Sequence, residues 1–339
     1  MLYRLVKIFG IFSIFSRVFS ESECPNVSTP AQDRRTDTNN LRIMQYNVEW
    51  LFLDYYKSSD CPGDGCTWKN ESEASTHLKY VTNVINDYQP DIINFCEIEG
   101  CDELNSVIDL TSELYNPYLI KGTDTSTGQN VGMLTKIDPL MDLYRTENTY
   151  EYPIENSSCG YNETGHTGVS KHYITTFQWN DIKVAFFSVH LLAYPTQPDR
   201  CAKREAQAKI MEQEIIKKVN EGYEIFFIGD FNDYDEDVQD LNDSKPLSRV
   251  LEIIKGGDND IYTLTNVAYN VPQNQRYTNW WDKNDNCVSS MDEFVMIDHV
   301  LMSQQLLEKV KHVDIYHGYD ENCDRLNSDH YPVIVDLYN

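Results

Sequence analysis

Basic side chains are scarce in this sequence: 28 Lys and Arg among 339 residues stand against 54 Asp and Glu, a formal net charge of −26. A chain so acidic is soluble and self-repelling, and its overall field excludes strong, sequence-independent attraction to a polyanion such as DNA. It does not exclude a polyanionic substrate held locally. A bound divalent cation and a few Arg or Lys side chains invert the potential inside a cleft. Other absences narrow the chemistry. There is no GxxxxGK[ST] loop and no GxSxG elbow, so neither a P-loop nucleotidase nor a serine enzyme of the α/β-hydrolase kind is supported. No paired CxxC or Cys/His spacing offers a zinc site. No linker or internal repeat divides the chain after Leu41.

What is present begins with a leader. Arg4 and Lys7 flank the apolar run from Ile8 to Phe15, and small Ser20 closes a cleavage site. With Arg17 interrupting it, the run is shorter than the ~18 apolar residues a membrane span requires, so residues 1–20 read as a secretory signal peptide. Nine cysteines and five sequons, at Asn26, Asn70, Asn156, Asn162 and Asn242, agree with an oxidising, extracellular destination. Cys61–Cys66 and Cys96–Cys101 are close enough to close small loops, and Cys287 can meet Cys323.

Residues 21–40 are polar and turn-rich and read as a lead-in segment to a domain spanning 41–339. From Leu41 onward, short β-branched and aromatic runs predict buried strands at 41–46, 91–95, 131–135, 173–179, 183–189, 225–228, 296–302 and 333–337. Helical periodicity fills Ser75 to Tyr88, through Leu78, Val81, Val84 and Ile85, and Arg200 to Asn220, with Gly222 as its C-terminal stop. Strands and helices interleave, and one layered α/β domain is the economical fold.

The polar residues that stand out fall at the ends of these strand runs, where a loop opens over a rigid scaffold. They are Asn47 in QYNVEW, Glu97 in FCEIE, His190 in SVHL, Asp230 and Asn232 in GDFN, Asp298 in IDHV, and Asp329 and His330 in SDHYPV. Taken singly, an Asn or Asp beside a strand is commonly a turn former and a lone His a satisfied surface residue. Taken together, an oxygen-rich set suits a hard cation that spends its remaining positions on phosphate oxygens. Two histidines could then serve protonation and water attack.

The ordered series QYNVEW, FCEIE, SVHL, GDFN, IDHV and SDHYPV resembles the endonuclease/exonuclease/phosphatase superfamily, the deoxyribonuclease-I-like fold, from about Leu41 to the C-terminus. The resemblance implies a four-layered α/β sandwich of two packed mixed sheets flanked by helices, with the active site at one edge. It implies Asn47, Glu97 and Asp329 at the metal, with Glu97 the principal Mg²⁺ ligand and Mn²⁺ or Ca²⁺ as alternative ions. It implies Asp230 orienting or deprotonating the attacking water, Asn232 on the phosphate, and His330 catalytic with Asp298 holding its imidazole. His190 matches deoxyribonuclease-like and sphingomyelinase-like branches, and Asp124 matches an Asp lining the site in other members.

The implied reaction is hydrolysis of a phosphoester by in-line attack of water. A nuclease acting on DNA is the first expectation, and a phospholipid or inositol-phosphate phosphoesterase the alternative. A catalytically silent binding module of the same fold is the third reading. A monomer with no stable protein partner is expected. Arg145, Lys171, Arg200, Lys203 and Arg204 are the basic residues to seek near the cleft, the last three also suiting a solvated helix face. Asn279-Trp280-Trp281-Asp282 is the one candidate for a membrane-seeking hairpin, with a packed aromatic pair as its plain reading.

Overall fold

The computed structural model describes residues 23–54 and 67–339; the leader and the Cys61–Cys66 pair lie outside the described residues. In chain order the first half runs β1 (Asn40–Leu51), α1 (Glu71–Tyr88), β2 (Ile92–Ile98), α2 (Cys101–Asp109), β3 (Asn116–Leu119) and β4 (Asn130–Thr135). A small ribbon, β5 (Tyr150–Tyr152) with β6 (Gly165–Thr167), precedes β7 (His172–Trp179), β8 (Ile182–His190), α3 (Pro198–Asn220) and β9 (Glu224–Asp230). Then come α4 (Val250–Ile254), β10 (Leu264–Asn266), a second ribbon of β11 (Asn279–Trp280) with β12 (Phe294–Val295), and β13 (Asp298–Ser303). The chain closes with α5 (Gln304–Leu307), β14 (Val310–Ile315) and β15 (Val333–Tyr338).

Two mixed sheets form, one ordered β14-β15-β1-β2-β4-β3 and the other β10-β13-β9-β8-β7. Strand alternation sends successive side chains to opposite faces. Ile43 and Phe186 therefore point into the core between the sheets, while their neighbours Met44 and Phe187 point outward to the helices. The inner core stacks Phe186 on Phe226 with ring centres 5.1 Å apart, and the outer core stacks Phe187 on Phe227 at 5.5 Å. Ile210, Met211 and Ile215 of α3 cover the second sheet, and Val81, Ile85 and Leu104 of α1 and α2 cover the first. The result is the four-layered sandwich that the motif series implies.

Helix α1 begins at Glu71, earlier than its apolar period suggests, because the Asn70 side chain caps it by accepting from the Glu73 N–H at 3.1 Å. It buries Leu78, Val81, Val84 and Ile85, at about 1.5–3 kcal/mol for each large aliphatic side chain removed from water. Helix α3 opens on Pro198, whose missing N–H costs nothing at that position. It stops before Gly222, which adopts φ +82°. The edge strands β3, β10 and β14 and the short helix α2 escaped the sequence reading; β14, Val-Lys-His-Val-Asp-Ile, has a half-exposed, polar-interrupted pattern with no buried run.

The cysteines pair differently from the expected small loops at one point. Cys101 bonds Cys24, not Cys96; Cys287 bonds Cys323 as expected, and Cys159 bonds Cys201, a pair the sequence does not single out. Cys96 is a free, fully buried thiol facing the core between the sheets, whereas Cys101 opens α2 on the outer side. Nearness in sequence cannot overcome that division between faces. The Cys24 bond, a bridge from Asp33 to Ile137 and the Arg34–Asp138 ion pair fasten residues 24–34 against the first sheet. No described helix is long and apolar enough to cross a membrane.

One core histidine ties stability to pH. His172 is wholly buried and its Nε2 accepts from the Thr146 N–H at 2.9 Å, which requires the neutral ring. Burial, aided by Arg145, pulls its pKa from 6.5 down to about 4. Between those values the unfolded chain binds the extra proton and the folded chain does not, so stability must fall as pH drops from about 6.5 toward 4 and level off below. The loss reaches about 3 kcal/mol for this group. Thermal midpoints measured across that range are expected to decline, and His172→Gln to flatten the decline.

Candidate active site

Strand direction assembles the site. β1 runs parallel to β2, and β8 parallel to β9, so Asn47, Glu97, His190 and Asp230 all lie toward the carboxyl ends of their strands. β13 and β15 run antiparallel to β9 and β1, which brings their first residues to the same edge. Asp298 is thereby paired with Asp230, and Asp230 with His190. Asp329 and His330 sit just before β15, with His330 bridged to Asn279. All eight side chains singled out in the sequence meet at this one edge.

The backbone is bent to aim them. The registers of β1 on β2 and of β2 on β4 slip at Asn47/Leu51 and Cys96/Ile98, and Glu97 sits in the second slip with φ +66°. Glu49, Trp50 and Asn232 also hold left-handed φ of 46°, 54° and 49°. Such conformations cost of order 1–3 kcal/mol each in non-glycine residues and persist where the surroundings impose them. Gly229 has the opposite duty: a Cβ there would stand 2.0 Å from Val189 O, so only glycine lets β9 approach β8 closely enough to set Asp230 beside His190.

His330 is the centre of the polar arrangement. Its Nδ1 lies 2.7 Å from Asp298 Oδ2, and Asp298 Oδ1 accepts from Gln45 Nε2 at 3.0 Å. Behind Gln45 a buried chain continues through Asn94 Nδ2, 2.6 Å from Gln45 Oε1, to Tyr173 OH, 2.6 Å from Asn94 Oδ1. Thr278 Oγ1 accepts from the Asp298 and Ile297 N–H groups, and Ser328 Oγ from the His330 N–H. Burial alone would depress the His330 pKa, but Asp298, Asp329 and Asp230 together push it well above 6.5. The ring is therefore held as a cation with Nε2 facing Asp230 and Asp329, at 4.0 and 3.9 Å.

His190 is its electrostatic opposite. Burial, then Lys171 and His330, hold it well below 6.5, so it is neutral, with Nε2 3.6 Å from Asp230 Oδ2 and 3.8 Å from Glu97 Oε1. Asp230 is pushed up to about 7 by burial and the nearby Asp298. Its oxygens accept from Asn47 Nδ2 at 3.0 Å and from the Asn232 N–H at 2.8 Å. The Asn232 amide itself donates to Leu191 O, locking the turn after His190. Asn47 sits between the acids: its Nδ2 is also 3.3 Å from Glu97 Oε1, and its Oδ1 accepts from the Glu49 N–H.

A second set of acids gathers around Glu97. Glu49, missed in the sequence reading, accepts the Asp329 N–H on Oε2 at 2.9 Å and pairs with Arg325 at 3.0 Å. Burial and then Asp329 raise the pKa of both Glu49, to about 8, and Glu97. Glu97 and Glu49, whose charged forms are disfavoured by burial and then by Asp329 beside them, stand where a divalent cation would offset both penalties. Its oxygen donors would come from Glu97 and Asp329, flanked by Asn47, with Glu49 held behind them by Arg325 and the Asp329 N–H. Glu49 was legible in principle, since it stands two residues after Asn47 in the same strand.

Gln129 and Lys171 complete this side. Gln129 Nε2 donates to Glu97 Oε2 at 2.7 Å, Lys171 Nζ donates to Gln129 Oε1 at 3.2 Å, and Asp124 pairs with Lys171 at 3.3 Å. Asp124 therefore acts on Glu97 through two intermediaries. The other basic candidates divide. Arg145 is spent on Val169 O and Ser170 O. Arg204 is completely buried and not on a solvated face; it pairs with Asp233 and donates to the carbonyls of Leu192, Tyr194 and Pro195. Arg200 and Lys203 line a groove beside the site. Of the tryptophans, Trp280 is packed, with Nε1 on Glu293, while Trp281 is 57% exposed.

No protein-family model matches the chain, and no curated protein matches it in sequence. Solved structures do match in fold. TDP2 from Caenorhabditis elegans superposes with a TM-score of 0.53 at 17% identity, covering 88% of this chain and 74% of that one. The 3′ phosphatase NExo from Neisseria, bound to a product DNA hairpin, gives 0.55 at 15% identity over 88% and 99%. An endonuclease/exonuclease/phosphatase family protein from Bacteroides thetaiotaomicron gives 0.54 at 15% over 88% and 94%. The protein is an α/β sandwich with an acid and imidazole site at one sheet edge. Its fold is that of the endonuclease/exonuclease/phosphatase superfamily, as the ordered motifs imply.

Proposed function

We propose that this chain is a secreted, divalent-metal-dependent phosphodiesterase whose substrate is nucleic acid, DNA first. The observation that carries the reading is the buried Asp298–His330 pair facing Asp230 and the Glu97 acids across a few ångströms. A cationic imidazole beside three carboxylates is arranged for a phosphate, not for a neutral ester. A divalent cation held by Glu97, Asp329 and Asn47 would polarise a phosphoryl oxygen. Asp230, poised near neutrality and steadied by Asn47 and Asn232, takes the proton of the attacking water. His330, held protonated by Asp298, meets the charge that grows on the phosphorus oxygens. His190, neutral and fixed between Asp230 and Glu97, donates a hydrogen bond to one of them or to the substrate. The nucleic-acid choice is supported by the fold shared with NExo, a 3′ phosphatase seen with DNA.

Secretion is part of the same proposal. It is supported by the leader, by three disulfides among the described residues, and by exposed sequons at Asn26, Asn156 and Asn162. Asn242 suits glycosylation less well, because its Nδ2 donates to Met291 O and Phe294 O. The decisive assay presents purified protein and Mg²⁺ or Mn²⁺ with plasmid DNA, RNA, sphingomyelin and inositol phosphates. Cleavage of DNA is expected; turnover of the lipid or inositol phosphate alone would replace the substrate, and no turnover with metal bound would leave a binding module.

A further inference from the structure

The loop that follows His190 is built with unusual care for a surface turn. Arg204, wholly buried in α3, donates to the carbonyls of Leu192, Tyr194 and Pro195, and so clamps the loop from beneath. Tyr194 stands at its apex with φ +68°, a left-handed conformation that a bulky side chain rarely adopts. Its ring is 43% exposed. From the opposite side, next to β11, Trp281 projects with 57% exposure. The adjacent Trp280 N–H donates to Asp329 O, so Trp281 is carried by the His330 side of the site. The two rings meet edge to face with centres 6.4 Å apart, and the Arg200 guanidinium lies 5.2 Å over the Tyr194 ring.

Beside them lies a groove of about 560 Å³. Thr123 and Ser170, the chain neighbours of Asp124 and Lys171, line it together with His166, Arg200, Lys203 and Asp199. Lys203 shares its charge with Asp199 at 3.6 Å, while Arg200 is turned to the Tyr194 ring. In a chain of net charge −26, two cations and a histidine bordering one groove next to the catalytic edge are a local reversal.

We propose that Tyr194 and Trp281, with Arg200, form a stacking ledge for an unpaired nucleobase next to the scissile phosphate, and that the adjoining groove carries the strand's sugar-phosphate backbone. This deepens the phosphodiesterase reading and rests on it: the preferred substrate is a single-stranded segment or an unpaired end. Every base has a face to stack, so such a ledge selects single strands without reading sequence, and a guanidinium on the ring adds to its hold. A membrane surface is the other partner that exposed aromatics suit. It is disfavoured here because the pair is isolated among charged neighbours, Asp199, Arg200, Lys203 and Asp282, and not set in a contiguous apolar face.

The test uses the full-length secreted protein and its Tyr194→Ala, Trp281→Ala and Trp281→Phe variants, whose side chains are exposed. Binding of a fluorescein-labelled single-stranded oligonucleotide is measured in EDTA, where hydrolysis does not intervene. Each Ala variant should weaken binding by about tenfold, and Trp281→Phe should recover most of it. With metal, KM for the single strand should rise while kcat at saturating bis(p-nitrophenyl) phosphate, which does not depend on strand binding, stays within about twofold. Unaltered oligonucleotide binding in both Ala variants overturns the ledge even if DNA is cleaved normally. Loss of binding to sphingomyelin vesicles in place of loss of oligonucleotide binding overturns it in favour of a membrane contact. If the wild-type protein hydrolyses neither diester, the phosphodiesterase reading fails, and the EDTA binding arm still decides the ledge on its own.

Discussion

His330→Ala is expected to lower kcat on a phosphodiester by about 10³-fold, the middle of the range for a positioned acid–base group. The size follows from how much of the site converges on this ring. Asp298 holds Nδ1 at 2.7 Å, which leaves Nε2 as the one nitrogen facing the reaction, and three acids keep the ring charged. Removing it deletes the cation that meets negative charge on phosphorus and leaves Asp230 and Asp298 to repel each other without it. Asp298→Asn should cost about 10²-fold or more, because the amide no longer favours the useful tautomer or the imidazolium. Gln45→Leu should cost less, since the Asp298 carboxylate keeps His330 and the Asp298 N–H still donates to Thr278 Oγ1, so that only the Gln45 donor is lost. The graded order of His330, Asp298 and Gln45 is the signature to measure by steady-state kinetics. Full activity in His330→Ala would remove the assignment.

Stripping divalent metal, or replacing Glu97, is the second large effect. With EDTA, or in Glu97→Ala with Mg²⁺ present, turnover should fall by roughly 10³-fold or more, the several kcal/mol that a bound cation contributes to a phosphoryl transition state. Stability should move in a telling direction. In the metal-free protein burial disfavours the charged forms of Glu49 and Glu97, and Asp329 beside them adds repulsion. Glu97→Gln relieves that repulsion and should raise the thermal midpoint of the metal-free form. Mg²⁺ at 100 times its dissociation constant should stabilise the wild type by about 2.7 kcal/mol, and should leave the variant nearly unmoved. Calorimetric titration of Mg²⁺ checks the same point. Equal binding to wild type and Glu97→Ala would place the cation elsewhere.

These two effects rest on residues that were visible in the chain before any coordinate. Asn47, Glu97, His190, Asp230, Asp298 and His330 each sit at the end of an apolar run, and strand periodicity is a local property that a one-dimensional pattern records well. The buried strands and the two long helices were legible for the same reason. The start of helix α1 leaves no trace in the apolar period, because it depends on a cap at Asn70 that lies outside that period. Short edge strands such as β14 left no run to read, since half their residues face water.

Gln129 and Gln45 carry no signal of their role in the sequence, Glu49 only its nearness to Asn47, and Arg204, a cleft or solvated-face candidate by sequence, has a role that exists only in three dimensions. Gln45 reaches Asp298 across 253 residues of sequence, and Arg204 reaches Asp233 and three loop carbonyls from within a helix that reads as solvated. Cys96 and Cys101, five positions apart, are divided between the core and the outer layer, and no count of cysteines shows that.

The sequence by itself determined the strand ends and the chemistry mounted on them, because both follow from local alternation and residue type. Tertiary structure decided that parallel β1/β2 and β8/β9, with antiparallel β13 and β15, bring those ends to one edge. It also decided the charge states there, since a pKa is set by burial and by neighbours that are distant along the chain.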